Sequence, residues 1–441
     1  MRNIMKEFLS CLLCVFLFLF SSLGHSKEDE RVHYTLSNGL DVYLIKDTSL
    51  PIVSHVLLYK VGGASDPRGG SGLAHYLEHL MFRSSKNIPN ISKEIDGLHS
   101  LYNAFTSDYR TVYHQLFHKD KLEKVVRLEA ERMQNLVISD EAAGLERKIV
   151  IEERKMRVDN KPVVKLEEEM MAAFYRNETG WNVIGWEEEL ELFDAALAQR
   201  MYNACYRPSN AVLLILGDID VAEVKGYIEK YYGVLKNSSS RWRSCFGNFA
   251  EPAHHSDINV RMVNYKTEDR ALIYFFPAPN ISTEEYAAML VASQVLAGGK
   301  TSVLGMELVH NLGLALNVSV DYDYFTLRKG IVEIVITPLN PDVKLGVLEE
   351  GVSGIMSEVI KNGVNIEDIE AAKMTLKVSL MKALDGFSAR SISHVVALSV
   401  GADFDHFQKL AERISTVTPE QINNAIMQLM NAKKVIGYLD K

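Results

Sequence analysis

The segment His75-Tyr76-Leu77-Glu78-His79 places three side chains capable of metal and acid–base chemistry within five residues. Residues four apart share a face of a helix, so His75 and His79 would stand one turn apart on the same side. Two imidazoles in that arrangement can chelate one tetrahedral zinc. Glu78, three residues from His75, sits beside that face and could take a proton from a water activated there. The order is the inverse of His-Glu-x-x-His and supports the same chemistry. So short a pattern also arises by chance, as two histidines on a helix surface, and context has to decide between the two readings.

A helix must present these groups. Ser71 can cap its start. Leu73, Leu77, Leu80 and Met81 fall at i, i+4, i+7 and i+8, an apolar stripe on another face. A catalytic zinc takes three protein ligands and keeps one position for water. The helical pattern over 139–174 offers Glu146, Glu152 and Glu153. Glu146 and Glu153 are seven apart and share a face, with Val150 between them, while Glu152 points elsewhere. One of the pair could bind the metal and the other orient a ligand from behind it. The alternative is that all three are solvated charges.

The surrounding pattern mixes strands and helices. Alternation over 32–46 turns at Ser37-Asn38-Gly39. Residues 52–60, 111–117 and 210–217 read as strands. A glycine-rich stretch, Gly62 to Gly72, leads into the key helix. Residues 236–257 carry a serine run, Pro252 and His254-His255 with little periodicity, the composition of an interdomain linker. Strands near 258–276 and 315–337 follow, with helices near 283–297 and from 343 onward. This predicts an α+β chain of two similar lobes, residues 27–235 holding the metal and residues 258–441 forming the second.

The chain has 441 residues, and its net charge of -9 lacks the basic excess of a nucleic-acid binder. Arg2 and Lys6 precede an apolar run from Phe8 to Phe20, then Ser21-Ser22-Leu23-Gly24, the order of a secretory signal peptide over residues 1–26. The run is short for a membrane span. The expected location is periplasmic or secreted, with an attached N-terminal anchor as the alternative. No later run is long and apolar enough to span, so no stable membrane span is expected after signal cleavage. Cys205 and Cys245 lie beyond the signal. An oxidising compartment would permit a bridge between them, and two separate thiols are the alternative.

These residues resemble the pitrilysin, insulinase and mitochondrial processing peptidase family of zinc metallopeptidases, most closely its short bacterial members. Ser37-Asn38-Gly39-Leu40 looks like that family's first hairpin. Gly72-Leu73-Ala74-His75-Tyr76-Leu77-Glu78-His79-Leu80-Met81-Phe82 looks like its active-site helix. Glu146-Arg147 followed by Glu153 looks like its downstream signature, and Tyr206-Arg207-Pro208-Ser209-Asn210-Ala211 with Gly217-Asp218 like the end of its first lobe. The resemblance implies one zinc ion (Zn2+) per chain on His75, His79 and Glu153, with Glu146 supporting and Glu78 as general base of a peptide hydrolase. It implies lobes of mostly antiparallel sheet packed with helices, two chains closing into a clamshell. Asn103-Ala104-Phe105-Thr106-Ser107 resembles the edge strand that receives an extended substrate by main-chain hydrogen bonds.

Two departures matter. Tyr109 stands where the family has an aspartate, with Asp108 one residue earlier. In Leu308-Val309-His310-Asn311-Leu312-Gly313-Leu314-Ala315-Leu316, Val309 and Leu316 replace an arginine and a tyrosine that contact substrate in self-sufficient members. Neither can donate a hydrogen bond to a peptide carbonyl. The resemblance therefore implies the zinc-bearing subunit of a heterodimer whose related partner supplies that pair. The alternative is a non-catalytic interaction or scaffold protein of the same fold. The complete set of His75, Glu78, His79 and Glu153 argues against such decay.

Overall fold

The structure, a computed structural model, describes residues 30–175, 182–240, 242, 254–263 and 268–441. The expected signal peptide, Cys245 and most of the linker lie outside these residues. Cys205 is buried and disulfide-bonded.

The first sheet contains β1 (Glu30–Thr35), β2 (Asp41–Lys46), β3 (Ile52–Tyr59), β4 (Leu101–Thr106), β5 (Thr111–His118) and β6 (Ala211–Gly217). Their order across the sheet is β1-β2-β6-β3-β5-β4. β2 and β6 run parallel, and the other neighbours are antiparallel. β3 and β6 lie at the centre with both faces covered, which is why they read as apolar runs and not as alternation.

The second sheet contains β7 (Ile258–Val263), β8 (Ala271–Ala278), β9 (Ala315–Asp323), β10 (Gly330–Pro338) and β11 (Val435–Asp440). Its order is β9-β10-β8-β11-β7, with β7 and β11 parallel and the other neighbours antiparallel. Strand for strand, β2, β6, β3, β5 and β4 correspond to β7, β11, β8, β10 and β9. The two halves repeat one topology that plain sequence comparison of the halves does not reveal.

Five helices matter to the site: α1 (Leu73–Leu80), α2 (Asp140–Arg154), α3 (Pro162–Phe174), α4 (Tyr286–Ala297) and α5 (Phe387–Ser399). α1 and α4 each follow the central strand of their lobe and belong to its main core. The opposite face of each sheet is covered by a helix from the other half of the chain. Val395 of α5 packs against Val56, Leu58, Val212 and Leu214 of the first sheet. Leu166 and Met170 of α3 pack against Ala271, Ile273, Val435 and Leu439 of the second. Each sheet thus depends on the other half to keep its second face from water.

The helix expected over 139–174 is divided. α2 ends at Arg154, a π-helical turn runs over Lys155–Asp159, and α3 begins at Pro162. Proline has no amide hydrogen to continue a helix and is suited to starting one. The break frees α3 to leave the first lobe and cross to the second sheet. Among the described residues, no helix is long and apolar enough to cross a membrane.

Candidate metal centre

The start of α1 is held from outside the helix. Its N-cap is Gly72, at φ 88°, where only glycine is unstrained. The Asp66 carboxylate accepts hydrogen bonds from the Gly72 N–H at 2.7 Å and the Ala74 N–H at 2.8 Å. Ser71, expected to cap this helix, does not. Its hydroxyl accepts the Trp186 N–H at 3.0 Å instead. Ser71 sits one residue before the left-handed turn, so its side chain faces the 182–186 loop. That loop lies against the helix backbone to backbone, and a Cβ on Gly72 or Gly185 would collide with the opposing chain.

α1 turns His75, Glu78 and His79 toward α2. Glu153 Oε2 lies 3.2 Å from His79 Nε2 and 3.7 Å from His75 Nε2. Ligands bound at zinc distances in a tetrahedron stand about 3.4 Å apart, a value these two separations bracket. His75, His79 and Glu153 are the group of metal-ligating atoms that converges among the described residues, and the donor set fits a zinc ion. Glu152 points into solvent against Lys155.

The electrostatics fit a cation site. Burial lowers His75 to about 4, so it is neutral and free to ligate at neutral pH. Burial would also lower His79, but the carboxylates of Glu146 and Glu153 outweigh it and raise its pKa to about 9. In the metal-free site a proton on His79 supplies positive charge that a metal would replace. His79 Nδ1 donates to Glu146 Oε2 at 3.0 Å, which orients the ring. Arg83 pairs with the other oxygen of Glu146. Arg83 was not anticipated, although it lies four residues after His79. α1 ends at Leu80, and helical spacing gave no warrant beyond it.

Glu78 is buried, which raises its carboxyl above the usual range, with Thr106 and His79 acting against the shift. The Thr106 hydroxyl donates to Glu78 Oε2 at 2.5 Å. Thr106 ends β4, which is the edge strand of the first sheet. Along β4, the Ala104 N–H is taken by the Asn103 side chain at 2.9 Å. β4 has a neighbouring strand on one side only, and a strand added on the other side would take the Ala104 N–H from Asn103. Asn103, Ala104, Phe105 and Thr106 line one cavity of about 580 Å³ with His75, Glu78, His79 and Glu153. Arg157, also not anticipated, lines it too and donates to Glu153 Oε1 at 2.8 Å.

The two departures resolve differently. Asp108 pairs with Arg328, Tyr109 is buried, and Arg110 donates to the Phe325 carbonyl at 2.6 Å. Residues 108–110 therefore join the two lobes. Val309 packs partly against the second core, and Leu316 is exposed at a bulge in edge strand β9. Neither lines the cavity.

Comparison with known proteins bears on the family and the fold. Residues 41–185 match the family described as Insulinase (Peptidase family M16), and residues 193–376 match Peptidase M16 inactive domain. The chain belongs to peptidase family M16. Among M16 relatives, the zinc protease PqqE of Helicobacter pylori is 27% identical over 80% of this chain and 80% of that protein. The mitochondrial-processing peptidase subunit beta of Blastocladiella emersonii is 24% identical over 80% of this chain and 76% of its own length. The crystal structure of a protease from Helicobacter pylori superposes with a TM-score of 0.86 at 22% identity, covering 94% of this chain and all of that one. The periplasmic protease PqqL from Escherichia coli gives 0.76 at 15% identity, and this chain spans 48% of its length. The two-lobed α+β fold is that of M16 proteases.

Proposed function

We propose that this M16 chain is a zinc-dependent endopeptidase that takes peptides or unfolded segments as an added strand along β4. One observation carries the reading. A zinc-type donor set, a buried carboxylate and an open strand edge meet in a single cavity. His75, His79 and Glu153 would hold the ion. Bound zinc supplies a Lewis acid that polarises the scissile carbonyl and acidifies water. Glu78, with its raised pKa, accepts the proton of the attacking water and returns it to the leaving amine. Thr106 holds that carboxylate while its own strand aligns the substrate, so base and scissile bond share one support. Glu146 fixes the His79 ring, and Arg83 holds Glu146.

The chain is further read as the zinc-bearing subunit of a heterodimer, because Val309 and Leu316 offer no donors to the substrate. The order of residues 1–26 supports export to a periplasm. Purified chain should carry one zinc, and Glu78→Gln should keep the metal while abolishing cleavage of a quenched fluorescent peptide. Adding a related chain that bears the Arg/Tyr pair should raise the rate. Full activity of the pure chain as a homodimer would sink the heterodimer. A chain that binds no zinc would favour the scaffold alternative.

A further inference from the structure

The cavity holds one group that the mechanism above does not use. Arg157 lies on the π-helical turn Lys155–Asp159 directly after α2. The turn places it four residues beyond Glu153 and over the cavity. Its side chain is 68% exposed, and among the described residues it makes a 2.8 Å ion pair to Glu153 Oε1, the oxygen turned away from the two histidines. A guanidinium has five N–H donors in a planar fork, and one carboxylate oxygen leaves most of them free. Among the described residues, the other charged groups on the cavity wall are Glu78 and Glu153, with His75 and His79 at the ligand positions. Val158, Val164, Val183 and Ile184 make most of the remaining wall apolar, with Asn182 beside them. A permanent cation beside an apolar wall, next to a strand-binding edge, is a receptor for one negative charge on an otherwise extended peptide.

We infer that Arg157 sets substrate preference by pairing with a carboxylate that the peptide carries close to the scissile bond. This rests on the peptidase reading and adds a substrate class to it. The carboxylate can be an aspartate or glutamate side chain or the peptide's own C-terminus, and both present the same fork-shaped acceptor. Lysine or arginine at the same place would meet Arg157 and be disfavoured.

The test uses zinc-loaded full chain, with its partner subunit if one is needed for turnover. One set of C-terminally amidated peptides carries Glu, Gln or Lys at each of the three positions on either side of the cut. A second set has no acidic residue and a free C-terminus one to three residues after the cut. Wild type should prefer Glu over Gln at one position by about tenfold in kcat/KM, the factor of one charge-assisted hydrogen bond. Preference in the second set alone would assign the carboxylate to the C-terminus. Arg157→Gln should bring the ratio to about one, Arg157→Glu should invert it toward Lys, and Arg157→Lys should keep part of it. The same ratios read as Kd on the Glu78→Gln background, by fluorescence anisotropy, serve if an Arg157 variant turns over too slowly. An unchanged Glu:Gln ratio in Arg157→Gln, or wild type without preference in either set, overturns the inference. A fall in zinc affinity with the ratio intact would make Arg157 a support for Glu153 only. Glu78→Gln cleaving as fast as wild type would instead refute the peptidase reading itself.

Discussion

The two lobes share strand order and strand direction, yet the helix after the central strand differs completely between them. α1 is eight residues long and directs His75, Glu78 and His79 into a cavity. α4 is twelve residues long and almost wholly buried, with an apolar sequence on every side. Its internal polar groups are consumed by its own backbone. Ser293 donates to the Leu290 carbonyl at 3.0 Å, and Gln294 donates to the Gly298 carbonyl at 3.1 Å. The edge strands differ as well. β4 presents an open side to the cavity, whereas β9 carries a bulge at Leu316. One scaffold thus turns a metal-type donor set toward a cavity in the first copy and serves packing in the second. The fold alone therefore assigns no activity to either.

The contrast is broken most directly at the base. Glu78→Gln should lower kcat/KM by roughly 10²–10⁴-fold, the usual contribution of a positioned general base, with zinc retained. Gln294→Ala in α4 should change it by less than about twofold, because that group meets no reacting atom. Comparable losses at both positions, measured on the same peptide, would mean that α4 takes part in the chemistry.

The exchanged helices give a second contrast. α3 is anchored by a buried pair in which Arg154 donates to both Glu168 oxygens, at 2.8 and 2.9 Å, and to the Gly185 carbonyl. α5 is anchored by Arg390 to Asp47 at 2.6 Å, a pair in partial contact with water. Removing one partner of a buried pair strands the other, so Arg154→Met should cost about 3–5 kcal/mol of stability. Arg390→Met should cost about 1 kcal/mol or less. Urea unfolding of both variants checks the order, and equal midpoints would show that burial does not set these costs.

What the sequence disclosed follows the range of the interactions. His75, Glu78 and His79 were legible because a helix face is a local property of spacing. Glu146 and Glu153 were legible as a pair for the same reason, while their separate roles came from family resemblance. Asp66 was hidden because its link to α1 crosses an irregular loop that no periodicity describes. Arg157 stands at the helical i,i+4 spacing from Glu153, so its pairing was within reach of spacing alone, while its place on the cavity wall was not. The exchange of α3 and α5 was hidden too, since an apolar stripe announces that it will be buried without naming against what. The lobe boundaries expected from composition could not reveal helices that belong to one half in sequence and cover the sheet of the other.

Titration separates the lobes further, since α4 carries no titratable side chain apart from Tyr286. His79, raised to about 9, is protonated at neutral pH in metal-free protein. Zinc must displace that proton, so affinity should rise about tenfold per pH unit from near 7 to 9 and then level. His75, at about 4, is already neutral there and adds no slope. The pair of His79 with Glu146 stabilises the metal-free fold fully below the unfolded value of about 6.5 and loses that contribution as pH rises through 9. Calorimetry in buffers of different ionisation enthalpy should find about one proton released per zinc at pH 7. A pH-independent affinity would contradict the protonated His79.

The smallest contrast lies at the helix starts. α1 is short and starts from a left-handed glycine that offers no side-chain cap, so its first N–H groups rely on Asp66. α4 has Glu285 at its N-cap position with no side-chain cap hydrogen bond and is held by burial along its length. Asp66→Ala should cost about 1–2 kcal/mol, as for other lost caps. Because α1 carries two of the three proposed metal ligands, that loss should also weaken zinc binding, which competition with a chelator can measure. Glu285→Ala should stay within about 0.5 kcal/mol. If Asp66→Ala lowers stability and leaves zinc affinity untouched, α1 is positioned by its apolar face against the first core, and the cap contributes to folding alone.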